Sequence, residues 1–144
     1  NIDTYYGNKE ANDDRTVIVV NVLEKMKSKE EQLEKARTLI TEKKFTDVIK
    51  ILNNIIDDNK QSPIAYRLLG KTYAVLGELK KAEHCLIRSI ELNDSSHESY
   101  YNLGIVKYYL KEYQSASGCF TKVKYLKGNY KKTEKYQKMI EEVQ

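Results

Sequence analysis

A chain of 144 residues is long enough to build one domain with a core of its own; a composition 40% hydrophobic and 32% charged, with a single proline, fits a soluble, mostly helical protein and argues against a turn-rich β-sandwich. The formal charge of +4 is concentrated, since residues 121–144 hold seven lysines against three glutamates; this predicts a local positive face near the C-terminus and excludes a chain built throughout for nucleic acid. No apolar run reaches the roughly 18 residues of a membrane span, and the opening NIDTYYGNKEANDD is too polar for a signal peptide.

In chain order, residues 1–15 are polar and without periodicity, and are expected to be frayed or disordered. TVIVVNVLEKMK begins with β-branched residues, but the run continues into good helix formers and has no strand to pair with, so an N-terminal helix is expected over 16–28. From residue 29 onward helical segments alternate with short breaks. Ser62-Pro63 is a helix start, with serine as N-cap and proline at the first helical position, and Ser96 stands 34 residues later before another apolar helical run.

That spacing extends well beyond the caps. Tyr66 aligns with Tyr100, Leu69 with Leu103, Gly70 with Gly104, Ala82 with Ala116, Cys85 with Cys119 and Leu86 with Phe120, without a gap. A period of 34 with Leu-Gly, an alanine twelve residues after the glycine and a large apolar residue four beyond resembles the tetratricopeptide repeat family. A weaker first unit follows by projecting the register backwards: Ala36 stands at the glycine position, Phe45 opens the second helix, and Val48, Leu52 and Ile55 form its inner face. Gln32, Lys35 and Lys107 depart from the pattern, and the proline that often closes such repeats is absent at Lys60, Asp94 and Gly128. The resemblance implies an all-α fold, a right-handed α-solenoid of antiparallel helix pairs. Its repeats are expected at 29–62, 63–96 and 97–130, followed by a capping helix over 131–144. Within each pair, Gly70 and Gly104 are expected to face Ala82 and Ala116.

AEHCL places His84 beside Cys85, which invites a catalytic reading. On a helix the two lie about 100° apart, and Cys85 and Cys119 fall on the inward stripe, so they are read as packing residues. No CxxC, Cys/His ligand spacing, HExxH, GxSxG or glycine-rich phosphate loop occurs. Neither an enzyme nor a metal or cofactor is therefore expected. Cysteine usage points to a reducing, cytoplasmic compartment. The missing initiating Met reads as a fragment or mature form, which leaves the cell envelope or secreted space open if a targeting segment was removed.

The resemblance implies a non-catalytic scaffold that binds a peptide or partner protein in the concave groove of the first helices of each pair. The groove residues expected from the register are Arg37, Arg67 and Lys71, then Glu98, Tyr101, Asn102, Ile105 and Tyr108, and Lys132 of the last helix. Cations beside tyrosine rings suit a partner with acidic and apolar residues. The two-carboxylate clamp of some family members, with Lys, Asn, Asn, Lys and Arg, meets Arg67, Lys71, Asn102, Lys132 and Tyr136 here; only Asn102 and Lys132 match outright. Two other readings have a basis in the residues. KVKYLKGNYKKTEKYQK interleaves lysines with Tyr125, Tyr130 and Tyr136, a pattern suited to weak single-stranded nucleic-acid binding; and residues 16–27 carry an apolar patch suited to self-association or assembly.

Overall fold

The computed structural model describes the backbone of residues 2–144 and the side chains of residues 14–144. Seven helices follow one another: α1 (Ile2–Thr41), α2 (Phe45–Asp58), α3 (Pro63–Val75), α4 (Leu79–Leu92), α5 (His97–Tyr109), α6 (Tyr113–Lys127) and α7 (Lys131–Val143). No break separates the helix expected over 16–28 from the first repeat helix expected from 29; both belong to α1. Most of the polar segment expected over 1–15 lies outside the residues with described side chains. The chain divides into two units, residues 1–35 and residues 36–144.

In the second unit the repeat is built by its helix ends. Ser62 and Ser96 cap α3 and α5, accepting hydrogen bonds from the backbone N–H of Ala65 at 3.4 Å and Ser99 at 3.3 Å. At the other end, α1, α3 and α5 stop in the same way at the same spacing. Lys43, Gly77 and Lys111 adopt φ of 60°, 79° and 63°, and the next residue's N–H reaches back to Leu39, Tyr73 and Lys107 in turn, at 2.9 Å each time. This is the helix stop that favours glycine, because a side chain in the left-handed region costs about 1–2 kcal/mol. A Cβ at Gly77 would meet no heavy atom within 4 Å. Gly77→Ala is therefore expected to cost about 1 kcal/mol from backbone conformation alone, and Lys111→Gly to recover about 0.5 kcal/mol once the added freedom of the unfolded chain is offset. Urea unfolding of both variants measures these opposite signs. Where the closing proline is missing, Asn59 and Asn93 make the turn instead, each side-chain oxygen accepting the N–H two residues on at 3.0 Å.

The inner faces meet as the pattern predicts. Val48, Leu52 and Ile55 of α2 are buried, and Ala82 and Leu86 of α4 pack with Leu103 and Val106 of α5. A second cluster joins Ala116, Phe120 and Ile140 across α6 and α7. The close approach at the glycines brings in a larger neighbour than the expected alanine. A Cβ at Gly70 would lie 2.6 Å from Leu86 Cγ and 3.2 Å from the Ala82 carbonyl oxygen, and one at Gly104 would lie 2.5 Å from the Phe120 ring. The glycines make room for the large residue four beyond each alanine. Ser89, buried between repeats, donates to the Pro63 carbonyl at 2.8 Å and bonds Ser99 at 2.9 Å, tying α4 to the starts of α3 and α5.

Candidate functional site

The face made by α3, α5 and α7 holds a cavity of about 370 Å³. Each helix supplies it at helical spacing: Lys71, Ala74 and Val75 from α3; Glu98, Tyr101, Asn102, Ile105 and Tyr109 from α5; Lys132 from α7. Tyr130, which immediately precedes α7, closes one side. Six of the nine groove residues expected from the register, Lys71, Glu98, Tyr101, Asn102, Ile105 and Lys132, are thus brought together.

The other three stand elsewhere. Arg67 is half-buried; its guanidinium pairs with Glu98 and lies 3.5 Å from Ser96 Oγ. Burial and then the nearby Arg37 pull its pKa below the ordinary value, but a guanidinium remains a cation at physiological pH. Its charge is balanced by Glu98, not presented to the cavity. Arg37 stands close enough to act on Arg67 yet does not line the cavity. Tyr108 turns into an aromatic cluster, its ring 5.6 Å from Tyr113 and 5.7 Å from Tyr136.

The same cluster forms the cavity's wall. Tyr101 meets Tyr130 edge-on at 5.5 Å and Tyr136 at 6.4 Å, and burial pushes its phenol upward in pKa. Lys132 sits 5.8 Å above the Tyr130 ring. Lys71 and Lys132 are both exposed. The resulting site has an apolar and aromatic floor, cations at two edges, and one carboxylate already engaged by an arginine. Leu79, Val106 and Tyr130 line the cavity without being named by the repeat register, and Tyr130 stands furthest from its pattern. It precedes α7, outside any repeat helix, and the only signal for it was its place among the C-terminal lysines.

The remaining candidates separate cleanly. Cys85 is buried and Cys119 half-buried, both are free, and burial pushes each thiol up to about 11, the reverse of a reactive cysteine. His84 is exposed on α4, while His97 packs edge-on against Tyr130 at 5.6 Å. Among the described residues no group of three His, Cys, Asp or Glu side chains could hold a metal ion, and no helix is long and apolar enough to cross a membrane. Of the three tyrosines interleaved with C-terminal lysines, Tyr136 stacks on Phe120 and Tyr130 walls the cavity. Tyr125 alone is open, 81% exposed.

No protein-family profile matches the chain. Over 97 residues it is 31% identical to Hsp70-Hsp90 organizing protein 2 of Arabidopsis thaliana, an alignment that covers 65% of this chain and 16% of that much longer protein. Among solved structures, the tetratricopeptide domain of Arabidopsis OM64 superposes with a TM-score of 0.78 at 17% identity, covering 83% of this chain and 98% of that one. The first such domain of Spaghetti (RPAP3), bound to an HSP90 peptide SRMEEVD, gives 0.74 at 20% identity, with 80% and 91% covered. MamA gives 0.65 at 27% identity over 69% of this chain and 58% of its own. The 34-residue period, the glycine-to-large-residue contact and these superpositions agree: the chain has the fold of tetratricopeptide repeat domains.

Proposed function

We propose that this protein is an interaction scaffold that holds a peptide segment of a partner protein in the cavity between α3, α5 and α7. The observation that carries the reading is the pairing of exposed Lys71 and Lys132 with a floor of Tyr101, Ile105 and Tyr109. Such a site takes an apolar side chain on the floor and a carboxylate at the cationic edge. RPAP3 binds the acidic peptide SRMEEVD on a similar fold, and that ligand chemistry suits the two lysines here. Arg67 is engaged by Glu98, and Tyr136 packs on Phe120 where the clamp has an arginine. The reading is therefore one carboxylate plus an apolar anchor, not a full two-carboxylate clamp.

Fluorescence anisotropy with labelled SRMEEVD, and with the same peptide amidated at its C-terminus, tests the site. Wild type is expected to bind the free acid in the micromolar range. Binding should weaken as salt rises, and Lys71→Glu with Lys132→Glu should lower affinity at least about 30-fold, the loss of two charge-assisted contacts of about 1–1.5 kcal/mol each. Equal binding by wild type and the double variant would remove the cavity from consideration.

A further inference from the structure

Among the described residues lining the cavity Glu98 is the one acid, set against Lys71 and Lys132. Its carboxylate is paired with the guanidinium of Arg67, which does not itself line the cavity. The two partners are held differently. The Arg67 side chain is 15% exposed, and its guanidinium also lies 3.5 Å from the Ser96 hydroxyl that caps α5, whereas the Glu98 side chain, on the first turn of α5, is 53% exposed. The guanidinium is therefore the fixed member, and the carboxylate is the one that can turn out into water. We propose that Arg67 is a second carboxylate position of this site and that Glu98 is its displaceable occupant, so that Glu98 sets the selection between ligands with one acidic group at the anchored end and ligands with two.

The inference rests on the peptide-binding reading above. Arg67 and Lys71, four residues apart on α3, share one face of that helix, so the guanidinium stands one turn from an ammonium at the cavity's edge. Arg37 is near enough to act on Arg67 as well, which makes this end of the face a place for negative charge. In the wild type a ligand's second carboxylate reaches Arg67 only by exchanging with Glu98: one charge-assisted bond is made and another is broken, and the exchange gains little. With the Glu98 charge removed, the half-buried guanidinium is left without its acid, and the same ligand group makes that bond without giving one up. A purely structural pair, joining α3 to the start of α5, would behave in the opposite way. Its loss would weaken the fold and add nothing to binding.

SRMEEVD ends in an aspartate, so the free acid carries two carboxylates on its last residue and the amidated form carries one. Anisotropy titrations of both labelled peptides into the full chain test the proposal. Glu98→Gln should bind the free acid about tenfold more tightly than wild type, the gain of one charge-assisted contact, and the amidated peptide less than about threefold more tightly. Arg67→Gln with Glu98→Gln, which leaves the net charge of wild type, should return the free acid to wild-type affinity. Glu98→Asp keeps the charge but shortens its reach, and should give a gain of the same sign even if Glu98→Gln fails to fold by circular dichroism. No gain in either variant, an equal gain for both peptides, or a gain that persists without Arg67 would overturn the proposal. The broader reading fails separately: binding unmoved by Lys71→Glu with Lys132→Glu removes the cavity, whereas loss in that variant without a gain in Glu98→Gln keeps the cavity and removes only the second position. Absence of binding in every variant would overturn both.

Discussion

Phe120→Ala is expected to cost about 3–5 kcal/mol, the usual loss for an aromatic ring removed from a closed core. Phe120 is fully buried and is the largest such side chain among the described residues. Its ring stacks on Tyr136 with centroids 5.6 Å apart, lies 6.2 Å from the Tyr101 ring, and is pressed against Gly104 of the helix opposite. Removing it opens a hole shared by α5, α6 and α7. Against a typical total of about 5–15 kcal/mol, such a loss is large, and urea unfolding will read it directly. Gly104→Ala should be destabilising alone by about 1–3 kcal/mol, since the new methyl has nowhere to go. In the Phe120→Ala background the same change should be nearly neutral, because the two positions share one space. Equal costs in both backgrounds would show that the glycine answers to some contact other than the ring.

Lys107→Met should cost about 1–3 kcal/mol at neutral pH, for a different reason. Lys107 stands where the second repeat has Tyr73, and its ammonium, 16% exposed, joins Glu83 of α4 and lies 2.6 Å from Glu112 just before α6. The variant leaves Glu83, 14% exposed, with only Lys80 at 3.0 Å, so a poorly solvated carboxylate loses its main partner. The hydrogen bond from Lys107 holds the Glu83 carboxyl below its ordinary value of 4.5, and Glu112 followed by Glu83 holds Lys107 above 10.5. A depressed carboxylate stabilises the fold above its unfolded pKa and loses that contribution as pH falls through the folded value. A raised ammonium stabilises below its unfolded pKa and loses its contribution as pH rises through the folded value. The gap between wild type and variant should therefore be flat between these limits, narrow below pH 4.5 and narrow again above 10.5. A gap that did not change on acidification would assign the loss to the packing of the lysine stem, not its charge.

The core was the most legible part of the sequence, because Ala82, Cys85 and Leu86 recur as Ala116, Cys119 and Phe120 and a recurrence at fixed spacing marks what must be buried. Even there the register named Ala82 beside Gly70 but not the nearer Leu86, nor the Phe120 ring against Gly104. Alignment identifies which positions are small without revealing which large side chain fills the space. The continuity of α1 was not legible: no glycine or proline occurs between Gly7 and Pro63, yet the chain runs helically through residue 28 and breaks at Lys43. A boundary placed at residue 28 followed the repeat register. Arg67 was harder. Its ion pair joins the first helix of one repeat to the start of the next, and residues 31 positions apart in sequence announce no such contact. The left-handed turns at Lys43 and Lys111 were hidden for a related reason: only Gly77 carries the usual residue, and the other two follow its geometry with a lysine.

The last helix serves two ends at once. Ile140 and Tyr136 of α7 close the core beside Phe120, while Lys132 on its first turn forms an edge of the cavity. α7 buries only Thr133 and Ile140, and a helix with so few buried residues opens at lower cost than its neighbours, so its release would remove one edge of the cavity while the core of α3 to α6 stayed folded. A peptide held in the cavity as proposed should work in the opposite direction, slowing amide exchange in α7 first, so that this one helix reports whether a partner is held.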